Sequence, residues 1–141
     1  MIILDTNIVS GPMRLSSDPA VVAWLDRQII QTLYLISVNL AQLLTGVEIL
    51  PAGTRRDALR GALEELIPKL LGSRILAFDK EAEIANASIV SRGRSNGQAN
   101  YFADRQVVAV AVVHGYAVAT CDATPFVAAS VPVIDPWLAT D

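Results

Sequence analysis

Apolar residues in this chain fall into short unalternating bursts, separated by longer stretches in which they recur every three or four positions. Ile2-Ile3-Leu4 is the first burst, and Leu33-Tyr34-Leu35-Ile36 the second. A burst with no polar alternation predicts a strand covered on both faces, as in a parallel sheet. Arg74 to Phe78, Tyr116 to Thr120 and Val131 to Ile134 read as further strands. Helical spacing fills the intervals. Asp18-Pro19 predicts an N-cap followed by a first-position proline, and Val21, Val22, Trp24, Leu25 and Ile29 stripe the helix after it. Asn39 predicts the cap of a helix running to about Leu50, which Pro51-Ala52-Gly53 ends. Thr54 with Asp57 reads as a capping box for a helix carrying Leu59, Leu63, Leu66, Leu70 and Leu71, with Pro68 expected to kink or finish it. Lys80 to about Arg92 and Tyr101 to His114 give two more helices, with a loop over residues 93–98 and Gly115 just past the second. Strands alternating with helices predict an α/β fold: a central, parallel-rich sheet flanked by helices, in one domain over residues 1–141 with no repeat or linker.

Composition sharpens this picture. The chain has 141 residues, 52% of them hydrophobic and 18% charged, enough to bury a core without disulfides and too apolar for disorder. Arg, Asp, Gln or Gly interrupts every apolar run before it reaches the length of a bilayer span, so no membrane segment is expected. The first residues lack a basic leader and a small-residue cleavage site, so no signal peptide is read. A single cysteine, Cys121, excludes an internal disulfide and fits a reducing cytoplasm. The net charge of −3 does not announce a nucleic-acid binder. It does not exclude one, because a site for divalent cations carries its own acids.

Three acids stand where a covered sheet would expose them. Asp5 follows the first strand, and Asp122 follows Val118-Ala119-Thr120 in the same way. Each is either a turn aspartate bonded to its own backbone or a cation ligand. Asp104 lies in the first turn of a helix that is otherwise almost purely apolar. There a carboxylate is also favoured by the helix macrodipole, by about 0.3–1 kcal/mol. Jointly the three are harder to explain as local features. Strand ends converge in an open α/β sheet, like charges repel, and a hard divalent cation is the usual remedy.

Leu4-Asp5-Thr6-Asn7, the helix carrying Gly46, Ala103-Asp104, and His114-Gly115 with Ala119-Thr120-Cys121-Asp122 together resemble a PIN domain, and more narrowly the VapC and FitB toxins of bacterial toxin–antitoxin pairs. The ending Val133-Ile134-Asp135-Pro136-Trp137 is similar to that group's as well. The resemblance spans essentially the whole chain and implies a PIN-like three-layer fold. It also implies a Mg2+- or Mn2+-dependent ribonuclease, commonly dimeric and neutralised by a small antitoxin that covers the acidic site. Asp5, Asp104 and Asp122 would be metal-coordinating acids, with Thr6 and Asn7 beside them.

The chain departs from that pattern in places. Gln42 stands in Asn39-Leu40-Ala41-Gln42-Leu43, where the family carries a glutamate. An amide oxygen still ligates a cation but brings no charge and cannot act as a base near neutral pH. Losing one charge at about 4 Å from a divalent ion weakens the attraction by a few kcal/mol at a moderate effective dielectric. The alternative for Gln42 is a plain surface glutamine. Cys121 replaces the usual arginine, and Pro125 replaces an aspartate that many members carry.

Three further residues have ordinary readings. His114 suits a helix C-terminus better than a general base. Cys121, with no histidine partner in sequence reach, reads as a small buried hydrophobe. Arg55, Arg56 and Arg60 read as a solvated helix face. Arg92 and Arg94 are candidates for contacting RNA phosphates, and Tyr101 or Phe102 for stacking on a base, against a flexible loop and core packing respectively. Two function classes stay open: a metal-dependent endoribonuclease, and a toxin-like module that binds antitoxin or RNA without cutting. A signalling receiver domain is rejected, because it needs an adjacent acid pair after the first strand and a lysine at a later strand end. Here Asp5 stands alone, and Lys69 and Lys80 belong to helices.

Overall fold

The computed structural model describes residues 1–10, 18–95 and 102–138. The chain runs β1 (Ile2–Leu4), α1 (Thr6–Ser10), α2 (Pro19–Arg27), a 3-10 turn (Ile30–Thr32), β2 (Leu33–Ile36), α3 (Ser37–Glu48), α4 (Thr54–Leu70), β3 (Ile75–Leu76), α5 (Lys80–Ser95), α6 (Phe102–His114), β4 (Ala117–Ala119), α7 (Thr124–Ala128) and β5 (Val133–Ile134). The strands form one sheet in the order β3-β2-β1-β4-β5, and every pairing is parallel. This is the α/β architecture that the alternation of patterns predicts.

Alternation along each strand distributes side chains between two cores. Leu4, Leu33, Leu35 and Ala119 face one side, where α1 to α4 bring Ile8, Val9, Val21, Trp24, Leu43, Val47 and Leu63. Ile3, Ile36 and Val118 face the other, against Val107, Val108, Val110 and Ala111 of α6 and Phe126 of α7. Both faces are therefore covered, which is why the strands read as unbroken apolar bursts. The order 3-2-1-4-5 also reverses direction between β1 and β4. Outside the carboxyl ends of two such strands lies the crevice in which open α/β sheets place their ligands.

Several local expectations need correction. Asp18 does cap α2, accepting from the Ala20 amide at 2.9 Å. Ile29, however, falls beyond that helix and is exposed. Asn39 is no cap: α3 begins at Ser37, and the buried Asn39 amide donates to Leu4 O at 3.5 Å. The capping box at Thr54 and Asp57 does not form, since α4 starts after Gly53 with no side-chain cap. Pro68 lies inside α4, which runs on two residues past it to Leu70. Its missing N–H falls in the last turn, and Gly72 closes the helix with φ +56° and bonds to Ile67 O and Pro68 O. Gly93-Arg94-Ser95 belong to α5 rather than a loop, and residues 96–98 lie outside the described ones, as does Tyr101. α1 and α7 have no counterpart in the periodicity. Thr6-Asn7-Ile8-Val9-Ser10 contains no strong helix former, and its turn is held by Asp5, whose carboxylate accepts from Thr6 N at 2.8 Å and whose carbonyl accepts from Ile8 N at 3.0 Å.

Candidate active site at the sheet's carboxyl edge

Register brings the site together. Leu4 pairs with Ala119, and Ala119 with Ile134, so the next residue of each strand, Asp5, Thr120 and Asp135, extends one row across the carboxyl edge. The backbone bonds Asp5 N to Ala119 O and Thr120 N to Ile134 O, each 3.0 Å, hold that row in line. Thr120 is fully buried at its centre. Its hydroxyl donates to Asp5 Oδ2 at 2.7 Å and accepts from Asp122 N at 3.1 Å. One hydroxyl thus ties the two strand-end acids that sequence alone singles out. Asp5 is 8% exposed, and both of its carboxylate oxygens are held by chain donors; Asp122 is exposed.

The neighbours complete a polar lining. Thr6 donates from Oγ1 to Gln42 Oε1 at 2.9 Å. Asn7 donates from Nδ2 to Cys121 Sγ at 2.9 Å, while its own Oδ1 is buried with no hydrogen-bond partner. α6 packs along the sheet and ends where the chain enters β4, so its first turn, which contains Asp104, lies toward the carboxyl edge. The Asp104 side chain itself lies outside the described residues, as does that of Arg94. Among the described residues no three His, Cys, Asp or Glu side chains already form a metal-ligand cluster. The donor set is nonetheless that of a hard cation: carboxylate and amide oxygens, one of them buried and unpartnered.

A family model described as PIN domain matches residues 2–130. The chain belongs to the PIN-domain family. Within it, the chain is of the VapC/FitB toxin type. It is 42% identical over 138 residues to a VapC ribonuclease of Sinorhizobium fredii, covering 97% of this chain and 98% of that protein. It is 39% identical over 137 residues to toxin FitB of Neisseria gonorrhoeae, covering 97% and 99%. The crystal structure of FitAcB from Neisseria gonorrhoeae superposes with a TM-score of 0.92 at 39% identity, covering 99% of this chain and 100% of that one.

Gln42 is exposed, and its amide oxygen accepts from Thr6, the residue next to Asp5. His114 lies at the opposite edge of the sheet, at the foot of α6 with its ring 5.3 Å from that of Tyr116, and is no base for this site. Cys121 is exposed, which corrects its reading as a buried hydrophobe. Its thiol is pushed above the ordinary value, chiefly by loss of solvation and further by the charges of Asp5, Asp135 and Asp122. Arg60 is no free cation: it forms a two-point ion pair with Glu48 of α3. Arg92 is exposed near the end of α5. Sequence reasoning missed Thr120 and Asp135 as members of the edge. Asp135 directly follows the apolar burst that ends at Ile134, a signal that could have found it, whereas Thr120 reads as part of its strand and only the register sets it apart.

Proposed function

We propose that this chain is a Mg2+- or Mn2+-dependent endoribonuclease, the toxin of a toxin–antitoxin pair acting in the cytoplasm. The observation carrying this reading is the Asp5–Thr120–Asp122 constellation at the switch point of a PIN sheet. Asp5, Asp104 and Asp122 would hold the cation, with Asn7 Oδ1 and Gln42 Oε1 as neutral oxygen donors beside them. A bound divalent cation lowers the pKa of a water and stabilises charge on a scissile phosphate. The chain's own residues do the rest. Thr120 and the Thr6 amide fix both Asp5 oxygens, which holds that carboxylate in one orientation before any cation arrives. Asp122 has its backbone N–H anchored and its side chain exposed, so it can meet ligand at the mouth.

Relatives named VapC ribonuclease and toxin FitB, and a FitAB assembly solved on a DNA fragment, support an RNA substrate and an antitoxin partner. An apolar cleft of about 280 Å3 between α1, α2 and α4, lined by Val9, Val22, Leu25, Ile30, Leu66 and Leu70, would receive apolar side chains of that partner. Homodimerisation through apolar helix faces completes the reading. Among the described residues no helix is long and apolar enough to cross a membrane.

Gln42 favours a second reading, in which the domain binds antitoxin or RNA without cutting. Its oxygen is already engaged by Thr6, and it brings no charge to an edge that needs one. A paired assay separates the two. The native chain, Gln42→Glu and Asp5→Asn, each freed of antitoxin, are titrated with Mg2+ and Mn2+ by calorimetry and incubated with pooled cellular RNA. Cleavage by the native chain above the Asp5→Asn background supports the enzyme. Cleavage by Gln42→Glu alone supports the binding module.

A further inference from the structure

Asn7 is a side chain of this edge whose hydrogen bonding is lopsided. Its Nδ2 is spent on Cys121 Sγ at 2.9 Å, across a sequence separation of 114 residues, while its Oδ1 is buried with no donor. A buried acceptor left unmade costs about 1–3 kcal/mol, and a cation bound beside Asp5 would recover that cost. Asn7 stands in the first turn of α1, two residues after Asp5, and Cys121 directly precedes Asp122. The N–H to sulfur contact therefore bridges the two halves of the acidic edge next to its hydrogen bond through Thr120. An amide has two orientations related by a flip about its terminal bond, and in the one observed Nδ2 meets the sulfur while Oδ1 is left unpartnered.

Resting on the metal-site reading above, we propose that Cys121 is a positioning residue: its sulfur holds the Asn7 amide by Nδ2, which commits Asn7 Oδ1 to the divalent cation held by Asp5 and Asp122. Cys121 itself touches neither cation nor substrate. This role uses the neutral thiol as a hydrogen-bond acceptor, not as a nucleophile. It predicts that any side chain able to accept from the amide suffices at this position. A side chain of the same bulk that cannot accept does not.

The test is Mn2+ binding by calorimetry, with thermal melting of the metal-free proteins alongside. Cys121→Val keeps the volume and removes the acceptor; its Mn2+ affinity should fall by about 10-fold, the scale on which groups that orient metal ligands act. Cys121→Ser restores an acceptor and should bind close to the native chain. Asn7→Ala should weaken binding at least as much as Cys121→Val, and adding Cys121→Val to it should change nothing further. Should the valine variant fail to melt cooperatively, Cys121→Ala takes its place. If Cys121→Val binds Mn2+ as the native chain does while Asp5→Asn has lost it, the positioning role is wrong and the metal site stands. If Asp5→Asn also binds undiminished, the metal-site reading falls, and this inference with it.

Discussion

The two edges of this sheet are built from opposite materials. At the amino edge polar groups near the strand starts are met by the chain itself. Arg74 donates from Nε to Leu33 O at 2.9 Å and from Nη2 to Leu70 O at 2.7 Å, closing the starts of β2 and β3 against the end of α4. Tyr34 and Tyr116 pack with ring centroids 5.0 Å apart, and their hydrogen bond raises the Tyr116 phenol above its ordinary value. At the carboxyl edge, Asp5, Asp122 and Asp135 bring charge of one sign together around a buried threonine, and an amide oxygen is left without a partner. The amino edge is what a fold makes when only stability matters. The carboxyl edge keeps like charges and an unpartnered oxygen together, a stability cost that the proposed cation site would explain.

Substitutions at the two edges should therefore separate in kind. The largest effect belongs to Asp5→Asn, which should reduce divalent-cation binding and RNA cleavage to background; calorimetry and a gel assay read both. Thr120→Val comes next. It leaves Asp5 Oδ2 and Asp122 N unpaired and should destabilise the fold by about 1–3 kcal/mol while weakening cation affinity. Urea unfolding beside a Mn2+ titration would show the two losses together, and a loss of stability alone would break the contrast between edges. Arg74→Ala, across the sheet, should cost about 1–2 kcal/mol through its two carbonyl bonds and leave Mn2+ affinity unchanged. The smallest effect is expected for His114→Ala, a change within about 0.5 kcal/mol at an exposed helix end. A cleavage rate that followed this substitution would overturn the assignment of His114 to the inert edge.

Much of the scaffold was legible because its strands are covered on both faces. Leu33 to Ile36 reads as a strand without ambiguity, and Asp18-Pro19 is a start signal with a local mechanism. The misreadings share a cause. Asn39 has the chemistry of a cap, but its amide finds Leu4 O, 35 residues away, and the helix begins earlier. α1 was illegible because what starts it is the Asp5 carboxylate, not the propensity of Thr6 to Ser10. The site follows the same rule. Asp5 and Asp122 were visible as acids after apolar bursts, whereas the importance of Thr120 depends on register between strands that are distant in sequence. Cys121 was misjudged because burial is a property of neighbours, and its neighbours at the mouth are carboxylates and Asn7.

The bond between Thr120 and Asp5 joins residues 115 positions apart, and it sets an order of events. β1 occupies the middle of the sheet, yet one of its two neighbours is β4, near the end of the chain. During synthesis, Asp5 leaves the ribosome 115 residues before Thr120, so its partner does not yet exist when β1 emerges. Any product that stops short of Thr120 carries the first acid without its anchor, without Asp122, and with one side of β1 unpaired. Assembly of the acidic edge is thus a late event, complete only once the chain has been made through Asp122.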